Sequence, residues 1–156
     1  MTLDLANGCE GVAVTGQGTS QYIYVAFDRE WAQDPEGQVR IGRYSPFRDE
    51  WRFFFYPLSS VQTLAGGWGT LSEIVALSDE QLMVVECDDA AQAHLQRERL
   101  YTVRIADVEP ALEHPIPVLS KTLVRNADVA SWREPQAAAF RRANFNPAPR
   151  RRSIAG

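Results

Sequence analysis

The sequence predicts an all-β fold built from two four-stranded antiparallel meanders. Three observations carry that expectation. Short runs rich in β-branched and aromatic residues alternate with Gly, Pro and Asp, the residues that strands and turns respectively favour. Four such runs fit between residues 9 and 57, joined in a way that suits hairpin neighbours. The same order of runs then recurs at a nearly constant offset.

Taken in order, "CEGVAV" (9–14) is a short apolar strand and "GQGTS" (16–20) a turn. "YIYVAFD" (22–28) is aromatic and β-branched, and a polar loop with Pro35 and Gly37 follows. "VRIGRYS" (39–45), a turn around "PFRDE" (46–50) and "WRFFFYP" (51–57) complete the first unit. The second unit reads "SEIVALS" (72–78), the turn "DE" (79–80), "QLMVVECD" (81–88), a polar loop (89–98), "LYTVRIA" (100–106), a connector with Pro110 and Pro115, and "VLSKTLVR" (118–125). Glu10 aligns with Glu73, "YIYVAFD" with "LMVVECD" and "VRIGRYS" with "LYTVRIA", at offsets of 63, 60 and 61 residues. After Arg125 the pattern fails. "PQAAAFRRA" (135–143) suits a short helix with Pro135 near its start, and residues 131–156 read as an Arg/Pro/Ala-rich flexible tail.

Four strands per repeat at this period point to β-propeller blades, one spanning about 9–57 and the other about 72–125. The competing arrangement is an eight-stranded sandwich or barrel, or two unrelated meanders. A closed propeller needs at least ~4 blades, so two blades imply missing blades, assembly of several copies, or an open two-sheet structure. In the open case, apolar blade faces left without neighbours would drive self-association.

Composition bounds the function classes. Hydrophobic residues make up 45% and charged residues 23% of the 156-residue chain, ordinary for a globular domain. No apolar run reaches the ~20 residues of a membrane helix. The opening "MTLDLANGCE" lacks the basic and apolar regions of a signal peptide. The net charge of −4 is uneven: without Arg141, Arg142, Arg150, Arg151 and Arg152, 11 basic residues face 20 acidic ones. An acidic body argues against nucleic acid and suits cations or polar neutral ligands.

Laid out in this order, "NGCEGVAV…YIYVAFD…VRIGRYS…FYPL" and "LSEIVALSDEQLMVVECD…RLYTVRI…PVLSKTL" resemble the phytase-like propeller proteins, the "esterase-like activity of phytase" family. The resemblance runs from about Asn7 to Leu123. It implies a propeller of the six-bladed type, export, and hydrolysis of phosphate or related esters by the intact protein. The chain departs from the family pattern in lacking blades before Asn7 and a later acidic "EG" strand. It also carries Cys87 where the family usually has Arg after the Glu.

The residues that suit this chemistry are few. If "CEGVAV" and "SEIVALS" are innermost strands, Glu10 and Glu73 face the channel at equivalent depths. There they would be ligands of a hard divalent cation such as calcium, or bases. The rival role is blade-to-blade locking. Glu86 lies on the face of Leu82 and Val84 in an apolar strand, where a carboxylate needs a partner or a raised pKa. Lys121, the only lysine, is expected to pair with Glu86 or to hold a small-molecule phosphate or ester. Asp28, Asp88 and Asp89 read as solvated loop acids, and His94 and His114 as surface residues without metal-ligand spacing. Cys9 and Cys87 read as buried free thiols on neighbouring strands, and Trp31, Trp51 and Trp68 as packing residues. "GGWG" (66–69) reads as an inter-blade linker. No G-x-S-x-G elbow or P-loop occurs, so an α/β-hydrolase mechanism is excluded. A non-catalytic propeller that binds a ligand or protein is the alternative to an enzyme.

Overall fold

The computed structural model describes residues 8–59, 69–88 and 97–128. The expected residues 131–156 tail, the helix at 135–143, Asp89, His94, Trp68 and the side chain of Asp88 lie outside what it describes. The two meanders form as the sequence predicts. Strands β1 (Cys9–Thr15), β2 (Tyr22–Phe27), β3 (Gln38–Ser45) and β4 (Glu50–Pro57) make one antiparallel sheet in sequential order. Strands β5 (Gly69–Ala76), β6 (Gln81–Asp88), β7 (Arg97–Arg104) and β8 (Lys121–Asp128) make the second. Among the described residues no helix is long and apolar enough to cross a membrane.

Strand alternation explains how the sheets stack. Ala13, Tyr24, Ala26, Val39, Ile41, Phe54 and Tyr56 point one way from the first sheet. They meet Leu71, Ile74, Leu82, Val84, Val103 and Ile105 of the second in a single core. The first strands of the two sheets, β1 and β5, are neighbours. At their contact only glycine fits: a Cβ on Gly11 would stand 2.7 Å from the Ile74 backbone nitrogen and 3.1 Å from Glu73 Cα. The hairpin turn at Gly16 (φ +65) donates its N–H to Asp79 Oδ1 at 2.7 Å, tying the first turn of one meander to that of the other. Leu71 N–H to the Asp28 carbonyl, at 3.2 Å, is a second tie.

The run "FFFY" in β4 is buried on both faces. Phe54 and Tyr56 enter the core between the sheets, while Phe53 and Phe55 pack with Ile116, Phe27 and Trp31 on the opposite face. The connector between β7 and β8 comes back to cover this strand's edge. Phe53 exchanges hydrogen bonds with Ala111, and Phe55 donates to Pro117 O and accepts from Leu119 N–H. The expected strand 118–125 is therefore divided. Val118 and Leu119 serve the edge of β4, and β8 proper begins at Lys121 and runs to Asp128. Strand β7 likewise begins earlier than its apolar pattern predicts, because Glu98 and Arg99 continue the ladder opposite Cys87 and Glu86.

The faces turned away from the shared core are incompletely covered. Val12 and Val14 are 57% and 50% exposed on the first sheet, and Val75 is 38% exposed on the second.

Candidate functional site

Glu86 is the buried acid that alternation predicts, 4% exposed on the face of Leu82 and Val84. A carboxylate in such a place is tolerable only when its oxygens are satisfied, and here they are. Oε1 accepts from the Tyr56 hydroxyl at 2.8 Å, from the Ser59 hydroxyl at 3.2 Å and from the Lys121 ammonium. Oε2 accepts the Ser59 backbone N–H at 3.2 Å. The pairing of Glu86 with Lys121 expected from the sequence is thus present.

Lys121 reaches Glu86 across two aromatic rings. Its Nζ stands 4.4 Å from the Tyr101 ring centroid and 4.7 Å from that of Tyr56. The ammonium donates to Glu86 Oε1, to the Ser59 hydroxyl at 2.8 Å and to the Pro57 carbonyl, one acceptor for each proton. Burial lowers the Lys121 pKa from its ordinary value and outweighs the opposing pull of Glu86. Burial raises that of Tyr56 well above the ordinary tyrosine range, and the adjoining Glu86 carboxylate adds to the rise.

The cluster joins the two sheets. Tyr56 lies one residue before the end of β4, and Ser59 follows on a segment fixed by the Leu58 N–H to Gly37 carbonyl bond of 2.7 Å. Glu86, Tyr101 and Lys121 come from β6, β7 and β8. Ser59 Oγ and the Tyr101 hydroxyl are 2.5 Å apart. Sequence reasoning found Glu86 and Lys121 but missed Tyr56, Ser59 and Tyr101. The available signal was "YPLSS", polar hydroxyls immediately after a strand buried on both faces.

Glu10 and Glu73 occupy a different region, on adjoining strands β1 and β5, and both are exposed. Their registers differ. Glu10 is the residue skipped at a bulge between Cys9 and Gly11, whereas Glu73 pairs directly with Val85 after a bulge that skips Ser72. Among the described residues no three His, Cys, Asp or Glu side chains gather to hold a metal. Among the described residues Glu10 and Glu73 supply two carboxylates, against the about six to eight oxygens a calcium ion takes.

The remaining candidates are placed simply. Cys9 and Cys87 are free thiols, Cys9 exposed and Cys87 partly buried with its Sγ 3.1 Å from Ser72 Oγ. The expectation of burial therefore fails for Cys9, which is exposed at the first position of β1. Trp31 packs edge-on to Phe27 and Phe53, and Trp51 stacks on Phe53, as packing residues do. His114 is exposed beside Phe55.

Two antiparallel meanders stacked face to face, first strand beside first strand and not closed into a ring, are blades of an incomplete β-propeller. The family described as "Phytase-like: Esterase-like activity of phytase" matches residues 3–140, and the chain belongs to that family. No curated protein and no solved structure gives a match to it.

Proposed function

We propose that this chain supplies the reaction site of an esterase-like propeller, and that ester hydrolysis takes place at the Tyr56–Ser59–Glu86–Tyr101–Lys121 cluster. One observation carries the reading: a half-buried lysine, with its pKa lowered by desolvation, lies 2.8 Å from an exposed serine hydroxyl. Such an amine can take up or return a proton at a reacting ester, and its ammonium form can stabilise developing negative charge. Glu86 holds the amine in place. Turnover of p-nitrophenyl butyrate should fall on the order of 100-fold in Lys121→Met, the scale of losing a general base. The Glu10→Gln/Glu73→Gln double variant should keep its rate within about threefold. Equal rates in wild type and Lys121→Met would refute the assignment.

A second reading has its own observation. All three ammonium protons of Lys121 have acceptors, as befits a lock between blades in a non-catalytic, ligand- or protein-binding propeller. Wild-type protein with no ester turnover, together with strong destabilisation on removing Lys121, would favour the lock.

The exposed Val12, Val14 and Val75 suit stacking of further blades. We propose that copies of the chain associate through these faces, three of them supplying six blades. Light scattering after size exclusion should give the mass of three chains; a monomer would contradict this assembly. In the closed ring Glu10 and Glu73 would stand at the inner strands, and a divalent cation such as calcium is proposed only there, with no reaction step drawn through it.

A further inference from the structure

Ser59 is the exposed member of the cluster, while Tyr56, Glu86 and Tyr101 behind it are buried and the Lys121 side chain is only 15% exposed. Its hydroxyl oxygen lies 2.8 Å from Lys121 Nζ, 2.5 Å from the Tyr101 hydroxyl and 3.2 Å from Glu86 Oε1. Three groups able to take or give a proton therefore converge on one serine oxygen. A serine is a weak nucleophile until a base within hydrogen-bond reach removes its proton. Among the described residues no imidazole is placed to do so: His114 packs on Phe55, on the opposite face of β4 from Tyr56. A lysine that loses its proton readily through burial is the alternative base.

We propose that Ser59 is a covalent nucleophile toward neutral carboxylic esters, with Lys121 as its base and Tyr101 as the proton carrier to the leaving group. This rests on the ester-hydrolysing reading above and adds to it the attacking atom and the substrate class. In the first half-reaction Lys121 acts as the neutral amine, its former proton released to solvent, and Glu86 stays a carboxylate that holds it in place. Ser59 Oγ forms a bond to the acyl carbon and its proton passes to Lys121. The carbon–alkoxide bond breaks, and the alkoxide leaves as the alcohol with a proton delivered from Lys121 through the Tyr101 hydroxyl. Water then attacks the acyl-serine, gives its proton to Lys121, and the Ser59 oxygen leaves with that proton, restoring the starting state. Water is the only co-reactant.

Charge selects the substrate. The cluster holds one ammonium and one carboxylate, Arg99 acts on Lys121 from nearby, and the chain as a whole carries a net charge of −4. A phosphate monoester dianion gains little there and is repelled by the body, whereas an uncharged acyl ester is not.

The test uses the whole chain and a fluorophosphonate, which phosphonylates nucleophilic serines. Intact mass and peptide mapping should show one adduct, on Ser59, absent in Ser59→Ala and slowed on the order of 100-fold in Lys121→Arg, which keeps the charge but removes the base. Ser59→Ala should also lower p-nitrophenyl butyrate turnover on the order of 100-fold with an unchanged melting temperature, and p-nitrophenyl phosphate should not be turned over. Ester turnover that depends on Lys121 but persists in Ser59→Ala, with no adduct, would overturn the nucleophile and leave the site reading intact. Absence of any ester turnover would overturn both. Should Ser59→Ala melt early, Ser59→Cys serves instead: its thiol should alkylate with iodoacetamide faster than Cys9, and slower reaction counts against the proposal.

Discussion

Glu86→Ala should lose about 3 kcal/mol of stability, because removing one partner of a buried pair leaves the other uncompensated. The low end of that range applies, since the Lys121 side chain is 15% exposed and can turn partly toward water. The substitution also strips the Tyr56 hydroxyl and the Ser59 backbone N–H of their acceptor. For a chain of this size the melting temperature should fall by roughly 6–12 °C. Glu86→Gln keeps acceptor oxygen in place and should cost about half as much. Replacing both partners, as in Glu86→Leu/Lys121→Met, should cost less than the two single changes together, since no buried charge is left unpaired. Urea unfolding of the four proteins measures all of this. Additive losses would mean that the pair is not energetically coupled.

Asp34→Ala should be of similar or greater size, about 3–5 kcal/mol. The Asp34 side chain is fully buried, and its two oxygens take both fork nitrogens of Arg40, at 2.5 and 2.8 Å. Arg40 is only 9% exposed at the side chain, with its guanidinium 4.1 Å over the Trp31 ring. Without Asp34 a guanidinium stays buried among Trp31, Phe53 and Phe55 with its charge unmatched. Arg40→Lys should also fail to restore the pair, because an ammonium cannot match the bidentate geometry. This pair belongs to the first sheet, with Arg40 on β3 and Asp34 in the loop before it, away from the cluster. Ester turnover per folded molecule should therefore survive Asp34→Ala, while Glu86→Ala loses both stability and turnover. A stability loss under about 1 kcal/mol would mean that water compensates Arg40.

Much of this arrangement was legible in the residues, and the exceptions have physical causes. Alternation alone put Glu86 on the buried side of "QLMVVECD", and a carboxylate there demands a cation. With a single lysine in the chain, Lys121 was the natural partner. The meanders were legible because three of the four strands repeat their apolar pattern at a nearly constant offset. What escaped were contacts that depend on how the sheets stack. Ser59 lies outside any strand and matters only because the segment after β4 folds over β6 and β8. Val118 and Leu119 look like the start of β8 but bond to β4, since a run of apolar residues does not say which sheet it joins. Bulges in β1 and β5 each insert one residue, and a single insertion shifts Glu10 and Glu73 out of the register that string alignment gives them.

The protonation of Lys121 tests the account most directly. As the chain's only lysine, it gives a single side-chain Nζ signal after isotopic lysine labelling, so its titration can be followed without assignment. Burial lowers its pKa more than Glu86 raises it, so the folded protein releases this proton more readily than the unfolded chain. The sign follows: this group's contribution to stability rises with pH through the window below 10.5. The account predicts a midpoint below 10.5 that falls further in Glu86→Gln and shifts when an ester analogue occupies Ser59. A midpoint at or above 10.5, indifferent to Glu86 and to the analogue, would contradict it.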